Sequence, residues 1–297
     1  MRAIIKNDQD VRISDVPKPT YAANDVRIRV AIAAYCRTDS FAAQGKIKTK
    51  ERLVLGHEFS GVIDAVGESV MTFSVGDRVG IMPIIPDTEG HYLGPMCGVD
   101  FDGAFAEYVT VPATLAYRLP DTLDFQKAAY LEPMAAALAV TNAPITASMR
   151  GAILGTNRIA TLTARILAYR GFANVDLLTE KNSCTPREQT YDFVVESNPT
   201  AQTMRAAILL TKPGGIIILK SRQRIPVLIS VGEIVRKELR LFGTYYGSFE
   251  EAIDILTKGD IPVDDIFGDT ITLEELLPIL RSDVDTNYEA KKIFVRI

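Results

Sequence analysis

Residues 152–160 read Ala-Ile-Leu-Gly-Thr-Asn-Arg-Ile-Ala, and this stretch decides the fold of the second half of the chain. Its first three residues are apolar and run into Gly155, which predicts a short buried strand that ends in a tight turn. From Ile159 onward, apolar residues recur at helical spacing as far as Tyr169, and Gly171 then ends the pattern. A strand, a turn and a helix in this order are the repeating parts of a parallel sheet with crossover helices.

Short apolar runs beyond this unit predict more strands of the same sheet. They occupy residues 175–178, 191–196, 216–219 and 239–244. Helical patterns at 201–210 and 249–256 alternate with the later strands. This half of the chain is therefore predicted to be a doubly wound α/β fold of the Rossmann type.

The first third of the chain is predicted to be β-structure. Runs rich in β-branched and apolar residues occur at 3–5, 11–13, 26–33, 62–66, 78–82 and 106–111. Glycines and polar turns separate these runs, which predicts a closed or partly closed barrel-like sheet. Residues 123–140 are rich in alanine and leucine, and Pro133 predicts a helix that breaks or restarts there. A helix at 273–280 and a strand at 293–295 are expected in the tail.

Bulk composition excludes several classes of protein. A chain of 297 residues is long enough for two domains, and its net charge of −4 argues against binding to nucleic acid. Three cysteines are too few and too scattered for a disulfide framework, which fits a reducing cytosol. No secretory signal and no apolar run of membrane-spanning length is apparent, so we expect a cytoplasmic protein without a membrane partner.

Cys36, His57 and Glu132 are the residues that point to metal chemistry. They supply a thiolate, an imidazole and a carboxylate, which are the ligand types of a catalytic zinc that keeps one position open. Their wide separation means that spacing alone does not establish a site. The residue types also allow a small buried cysteine, a structural histidine and a glutamate that complements a helix dipole.

Longer motifs surround these three residues. They are Cys36 to Asp39, Gly56 to Gly61, Val66 to Val70, Val75 to Val79, Gly103 to Tyr108 and Leu131 to Pro133. In order and spacing they resemble the GroES-like catalytic domain of zinc-dependent medium-chain dehydrogenases in the alcohol dehydrogenase superfamily. The Glu-Pro pair at 132–133 is similar to the sorbitol and threonine dehydrogenase branch. The resemblance covers nearly the whole chain and is strongest over residues 20–140.

The resemblance implies a role for each residue of the metal site. Cys36, His57 and Glu132 would hold one catalytic zinc ion, which acts as a Lewis acid on the alcohol oxygen. Glu58 would be an alternate ligand or a group behind the ligands.

Two further residues take roles around these ligands. Asp39 would orient a ligand imidazole, and Thr38 would pass the alcohol proton outward. On residue type alone, Thr38 is equally well an ordinary threonine at a strand end.

Many relatives carry a second, structural zinc on four clustered cysteines. The corresponding stretch, residues 83–102, contains only Cys97, so we expect no structural zinc. His91 in the same loop either contacts substrate or is a solvated loop residue, and the second reading is favoured.

The expected dinucleotide motif, a Gly-x-Gly-x-x-Gly turn, is altered in this chain. Gly155 and Ala160 fit the first and third positions, but Asn157 replaces the middle glycine. Arg158 and Ile159 complete the candidate cofactor turn, with Arg158 facing either a phosphate or solvent.

After the next predicted strand, the ribose-binding positions are Thr179 and Glu180. Glu180 would favour NAD, whereas Thr179 with Lys181 would suit NADP, and the choice stays open. Residues 182–190 are too few for the helix and strand that relatives place there, so we expect a shortened nucleotide domain with reduced adenosine affinity.

These patterns define a domain plan and a ranked set of functions. We expect a catalytic domain at 1–142, a shortened Rossmann-like domain at 143–262, and a segment at 263–297 that returns to the first domain. The leading hypothesis is a zinc enzyme that transfers hydride between a secondary alcohol, polyol or amino alcohol and NAD or NADP. The alternatives are a redox-neutral zinc enzyme of the same fold and a non-catalytic family member. A homodimer paired through residues 239–246 is expected, as in relatives.

Overall fold

The computed structural model describes residues 1–8, 10–179, 189–222, 226–282 and 291–297. The strands are β1 (Arg2–Asn7), β2 (Asp10–Asp15), β3 (Asp25–Ala34), β4 (Arg52–Val54), β5 (Glu58–Val66), β6 (Arg78–Ile81), β7 (Tyr108–Pro112), β8 (Ala116–Arg118), β9 (Gly151–Leu154), β10 (Val175–Leu178), β11 (Tyr191–Glu196), β12 (Thr211–Leu219), β13 (Arg240–Gly243), β14 (Phe267–Ile271) and β15 (Lys292–Arg296). The helices are α1 (Arg37–Ala43), α2 (Phe125–Ala128), α3 (Leu131–Leu138), α4 (Arg158–Tyr169), α5 (Ala201–Leu210), α6 (Val231–Arg236), α7 (Phe249–Lys258) and α8 (Leu273–Arg281).

The described chain divides into two compact units. Unit 1 contains Met1–Glu132, Ile253–Gly259 and Asp264–Ile297, and unit 2 contains Pro133–Ala252 and Asp260–Val263. The domain boundaries at 142 and 262 stay predictions.

Unit 1 is built on two sheets. A seven-stranded sheet has the order β14-β15-β3-β5-β6-β8, and β7 also pairs with β3. A three-stranded sheet has the order β2-β1-β4. Val26, Ile28 and Val30 of β3 alternate with more exposed neighbours, so the central strand presents one apolar face to the core. The predicted β-rich first part of the chain is confirmed.

Unit 2 is built on one parallel sheet of five strands, in the order β10-β9-β11-β12-β13. A Rossmann sheet has the order 3-2-1-4-5-6, and β9 corresponds to its first strand and β10 to its second. Within the described residues no strand lies beyond β10, in the position of the third strand. The fold is therefore the predicted α/β class, with a Rossmann-type sheet that is shortened in the described part of the chain.

The helix breaks at Ala129 and Tyr130 and restarts at Leu131, which confirms the break predicted near Pro133, because Pro133 sits in the first turn of α3, where a backbone N–H has no helical partner. Two other local features differ from the predictions. Thr38 lies inside α1, so it is not at a strand end. Strand β12 begins at Thr211, before the predicted residue 216. Among the helices of the described residues, none combines the length and apolar character needed to cross a bilayer.

Candidate functional site

Cys36 lies between β3 and α1. Its backbone is extended, and as the N-cap of α1 it donates its N–H to Oδ2 of Asp39 at 2.8 Å. Asp39 is almost completely buried and sits in the first turn of the helix, where a carboxylate is stabilised by unpaired N–H groups. This short helix therefore fixes the cysteine and the aspartate relative to each other.

His57 is placed by the glycine that precedes it. Gly56 has a φ of +99°, and a Cβ at this position would lie 2.8 Å from the backbone nitrogen of Phe105. Only glycine allows this close approach, which brings His57 to the start of β5. Nδ1 of His57 is 2.9 Å from Oδ1 of Asp39, and both side chains are 1% exposed. This contact leaves Nε2 as the ring nitrogen that can ligate a metal.

The structure brings three ligand types together at this point. The ligand atoms of Cys36, His57 and Glu58 all lie within 4.8 Å of one another. A sulfur donor on a partly exposed residue, with a nitrogen and an oxygen donor on buried residues, fits a zinc ion with one open position. The donor set of these residues is therefore compatible with the predicted metal.

The charges around His57 are unusual for a buried imidazole. Burial lowers its pKa, but the charges of Asp39 and Cys36 and their hydrogen bonds to the ring outweigh this and hold the pKa well above its ordinary value. The site therefore attracts positive charge at the position of the ring, because two acidic side chains face it. A metal cation satisfies the same demand.

Lys292 forms a buried ion pair with Glu58, and each side chain is 1% exposed. Burial raises the pKa of Glu58, the Lys292 ammonium opposes that shift, and the nearby Glu132 carboxylate adds to it. Lys292 was not among the sequence candidates, since a lysine at the start of an apolar strand usually faces solvent.

Glu132, the sequence-predicted third ligand, lies in the first turn of α3 and is 6% exposed. It is close enough to influence Glu58 electrostatically. Its carboxylate is not part of the group formed by Cys36, His57 and Glu58 among the described residues. The assignment of Glu132 as a zinc ligand stays a prediction, and Glu58 is placed to compete for that position.

The residues outside this cluster have simpler environments. Thr38 is partly exposed on α1. His91 has a side chain that is 63% exposed, and it lies near Asp87 and Glu89 in a loop. Cys97 is fully buried, and burial raises the pKa of its thiol. These features fit a loop histidine and a cysteine that packs as a small apolar residue.

The turn after β9 is the candidate cofactor site in unit 2. Gly155 has a φ of +130°, and a Cβ there would lie 2.3 Å from Oγ of Ser197. Asn157 is the N-cap of α4, Arg158 and Ile159 form its first turn, and Ala160 is fully buried. A glycine at the turn and a small residue on the helix face fit the first and third positions of a dinucleotide motif. Thr179 follows β10, and Glu180 lies outside the described residues.

The comparisons with known proteins agree with one another. The Alcohol dehydrogenase GroES-like domain matches residues 22–121. The chain is 28% identical over 316 residues to the starvation-sensing protein RspB of Escherichia coli K12, covering 92% of each chain. It is 27% identical over 322 residues to (R,R)-butanediol dehydrogenase of Bacillus subtilis 168, covering 91% of this chain and 92% of that protein.

Solved structures agree with these sequence matches. One is described as a short chain alcohol dehydrogenase (rspB) from Escherichia coli CFT073 complexed with cofactor NADH. It aligns with a TM-score of 0.88 and 25% identity, covering 100% of this chain and 99% of that one. The fold and the matching domain support a zinc-type medium-chain dehydrogenase of the alcohol dehydrogenase superfamily. The chain is an enzyme of the alcohol dehydrogenase type.

Proposed function

We propose that the chain transfers hydride between a secondary alcohol, polyol or amino alcohol and NAD or NADP at a single catalytic zinc site. The observation that carries the proposal is that the ligand atoms of the partly exposed Cys36 and of the buried His57 and Glu58 lie within 4.8 Å of one another. The similarity to a butanediol dehydrogenase and to an NADH-bound structure supports an alcohol substrate and a nicotinamide cofactor.

Each side chain of the site has a distinct role in this proposal. Cys36 and His57 hold the zinc ion, and a bound zinc supplies Lewis-acid polarisation of the substrate oxygen. Asp39 fixes the orientation of the His57 ring through Nδ1, since its carboxylate is itself held by the Cys36 N–H. Thr38 accepts the alcohol proton and passes it toward solvent.

The third ligand is a carboxylate. The Glu-Pro motif predicts Glu132 as this ligand. In the group formed with Cys36 and His57, the carboxylate is instead that of Glu58. The variants Glu132→Gln and Glu58→Gln separate the two, because only loss of the true ligand lowers bound zinc. Lys292 is the counter-ion of Glu58.

The cofactor lies in this proposal against the turn after β9. Gly155, Arg158 and Ile159 face the pyrophosphate, which helix N-termini bind through their N–H groups. Thr179 is proposed to bind the ribose, as is the sequence position of Glu180, which lies outside the described residues. The choice between NAD and NADP depends on these last two positions.

We further propose that two copies of the chain pair through β13. This strand ends the described sheet of unit 2, and Leu241 on it is 37% exposed. Val231 and Val235 of the preceding α6 are 62% and 70% exposed, which is typical of a surface that another chain covers. A cytoplasmic location is also proposed, and the free thiols of Cys36 and Cys97 support a reducing compartment.

The test uses the two histidines of the chain as a matched pair. Wild-type protein is expected to carry one zinc ion per chain and to oxidise secondary alcohols, polyols or amino alcohols with NAD or NADP. His57→Ala removes both zinc and turnover, whereas His91→Ala leaves both unchanged because His91 lies exposed in a loop. Zinc-free wild-type protein, or a His57→Ala variant that keeps full zinc content, would overturn the proposal.

A further inference from the structure

Asn157 joins two turns of unit 2 that are distant in sequence. Its Nδ2 donates to the backbone oxygen of Ser197 at 2.9 Å. Ser197 in turn donates from Oγ to the backbone oxygen of Leu154 at 2.7 Å. The turn after β9 and the turn after β11 are therefore tied by two side-chain hydrogen bonds, one in each direction.

The other end of the same amide is also engaged. Oδ1 of Asn157 accepts the N–H of Ala160 at 2.9 Å, which makes it the N-cap of the twelve-residue helix α4. Both polar atoms of the side chain thus bind within the protein. An N–H group of the first helical turn, of the kind that phosphates bind, is already satisfied.

The two joined turns lie on either side of the crevice in which folds of this type bind ligands. Strand β9 pairs with β10 on one side and with β11 on the other, so the strand order reverses between β9 and β11. In open parallel sheets, ligands bind outside the carboxyl ends of the strands at this switch point. Asn157 and Ser197 each follow one of these two strands, so their hydrogen bond crosses the mouth of that crevice.

The backbone at Asn157 does not explain why an asparagine is present. Its φ of −75° is open to any residue, and the unusual φ of the turn belongs to Gly155. The side chain is therefore the distinguishing feature of this position. It supplies a cap and a cross-link that glycine lacks.

We infer that Asn157 is a positioning residue that closes the cofactor cradle, because its Oδ1 occupies the Ala160 N–H and its side chain fills space that the pyrophosphate of a dinucleotide uses. The inference rests on the proposed function. A bound dinucleotide displaces the amide from the Ala160 N–H, the Ser197 oxygen, or both. The affinity of this chain for the cofactor is therefore lower than that of the same turn with glycine at position 157.

The experiment is a fluorescence titration of NADH and NADPH on protein of known zinc content. Asn157→Gly removes the cross-link and leaves glycine, itself an acceptable N-cap, so the dissociation constants are expected to fall by about 2- to 12-fold, the range spanned by the net free energy of one hydrogen bond. Asn157→Ser keeps a capping oxygen but lacks the second donor, so an intermediate value is expected. Asn174→Gly, an exposed position in the loop before β10, leaves affinity unchanged.

Thermal unfolding supplies the second readout. Asn157→Gly lowers the melting temperature of the free protein while it tightens cofactor binding, and a purely structural role would not produce opposite changes. Unchanged or weaker binding in Asn157→Gly, with measurable binding in the wild type, would overturn the inference and leave the proposed function standing. If the zinc-loaded wild type and every variant bind neither cofactor, the proposed function is overturned together with it.

Discussion

Lys292 and Glu58 form an ion pair that is closed to water beside the candidate metal ligands. Ala34 of β3 is the register partner of Glu58 on one side and of Phe294 of β15 on the other. The two charged residues therefore lie on the strands at either side of β3, Glu58 on β5 and Lys292 on β15. A buried carboxylate next to a histidine ligand is stable in its charged form only when a cation compensates it.

Replacing Lys292 should show how strongly the free energy of unfolding depends on its ion pair with Glu58. Lys292→Met leaves Glu58 buried without a counter-ion and near Glu132, so a loss of about 3 to 5 kcal/mol in the free energy of unfolding is expected. Urea denaturation measures the loss. The double variant Glu58→Gln with Lys292→Met should recover most of it, since no uncompensated charge remains. A double variant as unstable as the single one would contradict this account.

Asp39 should control metal affinity without being a ligand. Asp39→Asn weakens the acceptor that orients the His57 ring, and zinc affinity is expected to fall by about 10- to 100-fold. Competition with a chromogenic chelator measures the change. Asp124→Asn, at the exposed N-cap of α2, should leave zinc affinity as in the wild type. Equal affinities for the Asp39→Asn variant and the wild type would show that the contact is incidental.

Two glycines of unit 2 allow the effect of backbone strain to be compared with the effect of a steric clash. Gly155 and Gly171 have φ values of +130° and +83°, so alanine at either position carries a backbone cost, and this cost is larger at Gly155. Only at Gly155 would the new Cβ collide, 2.3 Å from Oγ of Ser197, whereas the space around Gly171 is open. Gly155→Ala is expected to destabilise the protein by about 1 to 3 kcal/mol more than Gly171→Ala in urea denaturation. Equal losses would mean that Ser197 moves aside freely.

The buried Lys220 is expected to make the free energy of unfolding depend on pH. Burial lowers the pKa of its ammonium to about 7, and the charge of Arg222 adds to this while Glu196 opposes it. Between pH 7 and about 10.4, the unfolded chain binds this proton and the folded chain does not, so stability contributed by Lys220 rises with pH in that window.

Comparison with Lys220→Met isolates this contribution. The free energy of unfolding of the wild type relative to the variant should increase by about 2 kcal/mol from pH 7.5 to 9.5, near the limit of 1.4 kcal/mol per unit. The variant also loses the hydrogen bond from Nζ to the Ala137 oxygen at 3.2 Å, which adds a constant offset. Parallel stability curves for the two proteins would contradict the shifted pKa.

Strong periodicity accounts for the elements that the sequence predicted well. The strand at 151–154 and the helix at 158–169 combine an apolar run, a glycine turn and a regular helical face. Helix α1 was missed, because seven residues capped by a buried aspartate carry no such period. Its formation depends on the contacts of Asp39 with Cys36 and His57, which are made only in the folded protein.

The sequence predicted only part of the candidate site, because some of its contacts form only in the folded protein. Motif resemblance singled out Cys36 and His57, and these residues are brought together with Glu58. Lys292 gave no signal, since its burial depends on the partner strand and on Glu58 rather than on its own neighbours in sequence. The engagement of both ends of the Asn157 amide was equally hidden, because it requires the backbone oxygen of Ser197 to lie alongside.

The position of β15 has a consequence for synthesis. This strand lies between β14 and β3 in the main sheet of unit 1, yet it is made from residues 292–296. A ribosome delivers the chain from its N-terminus, so β3 and β5 emerge long before the strand that carries Lys292. The nascent chain must therefore keep Glu58 without its counter-ion and residues 32–34 of β3 without their β15 partner until residue 296 has left the exit tunnel, which makes this unit the late-folding half of the protein.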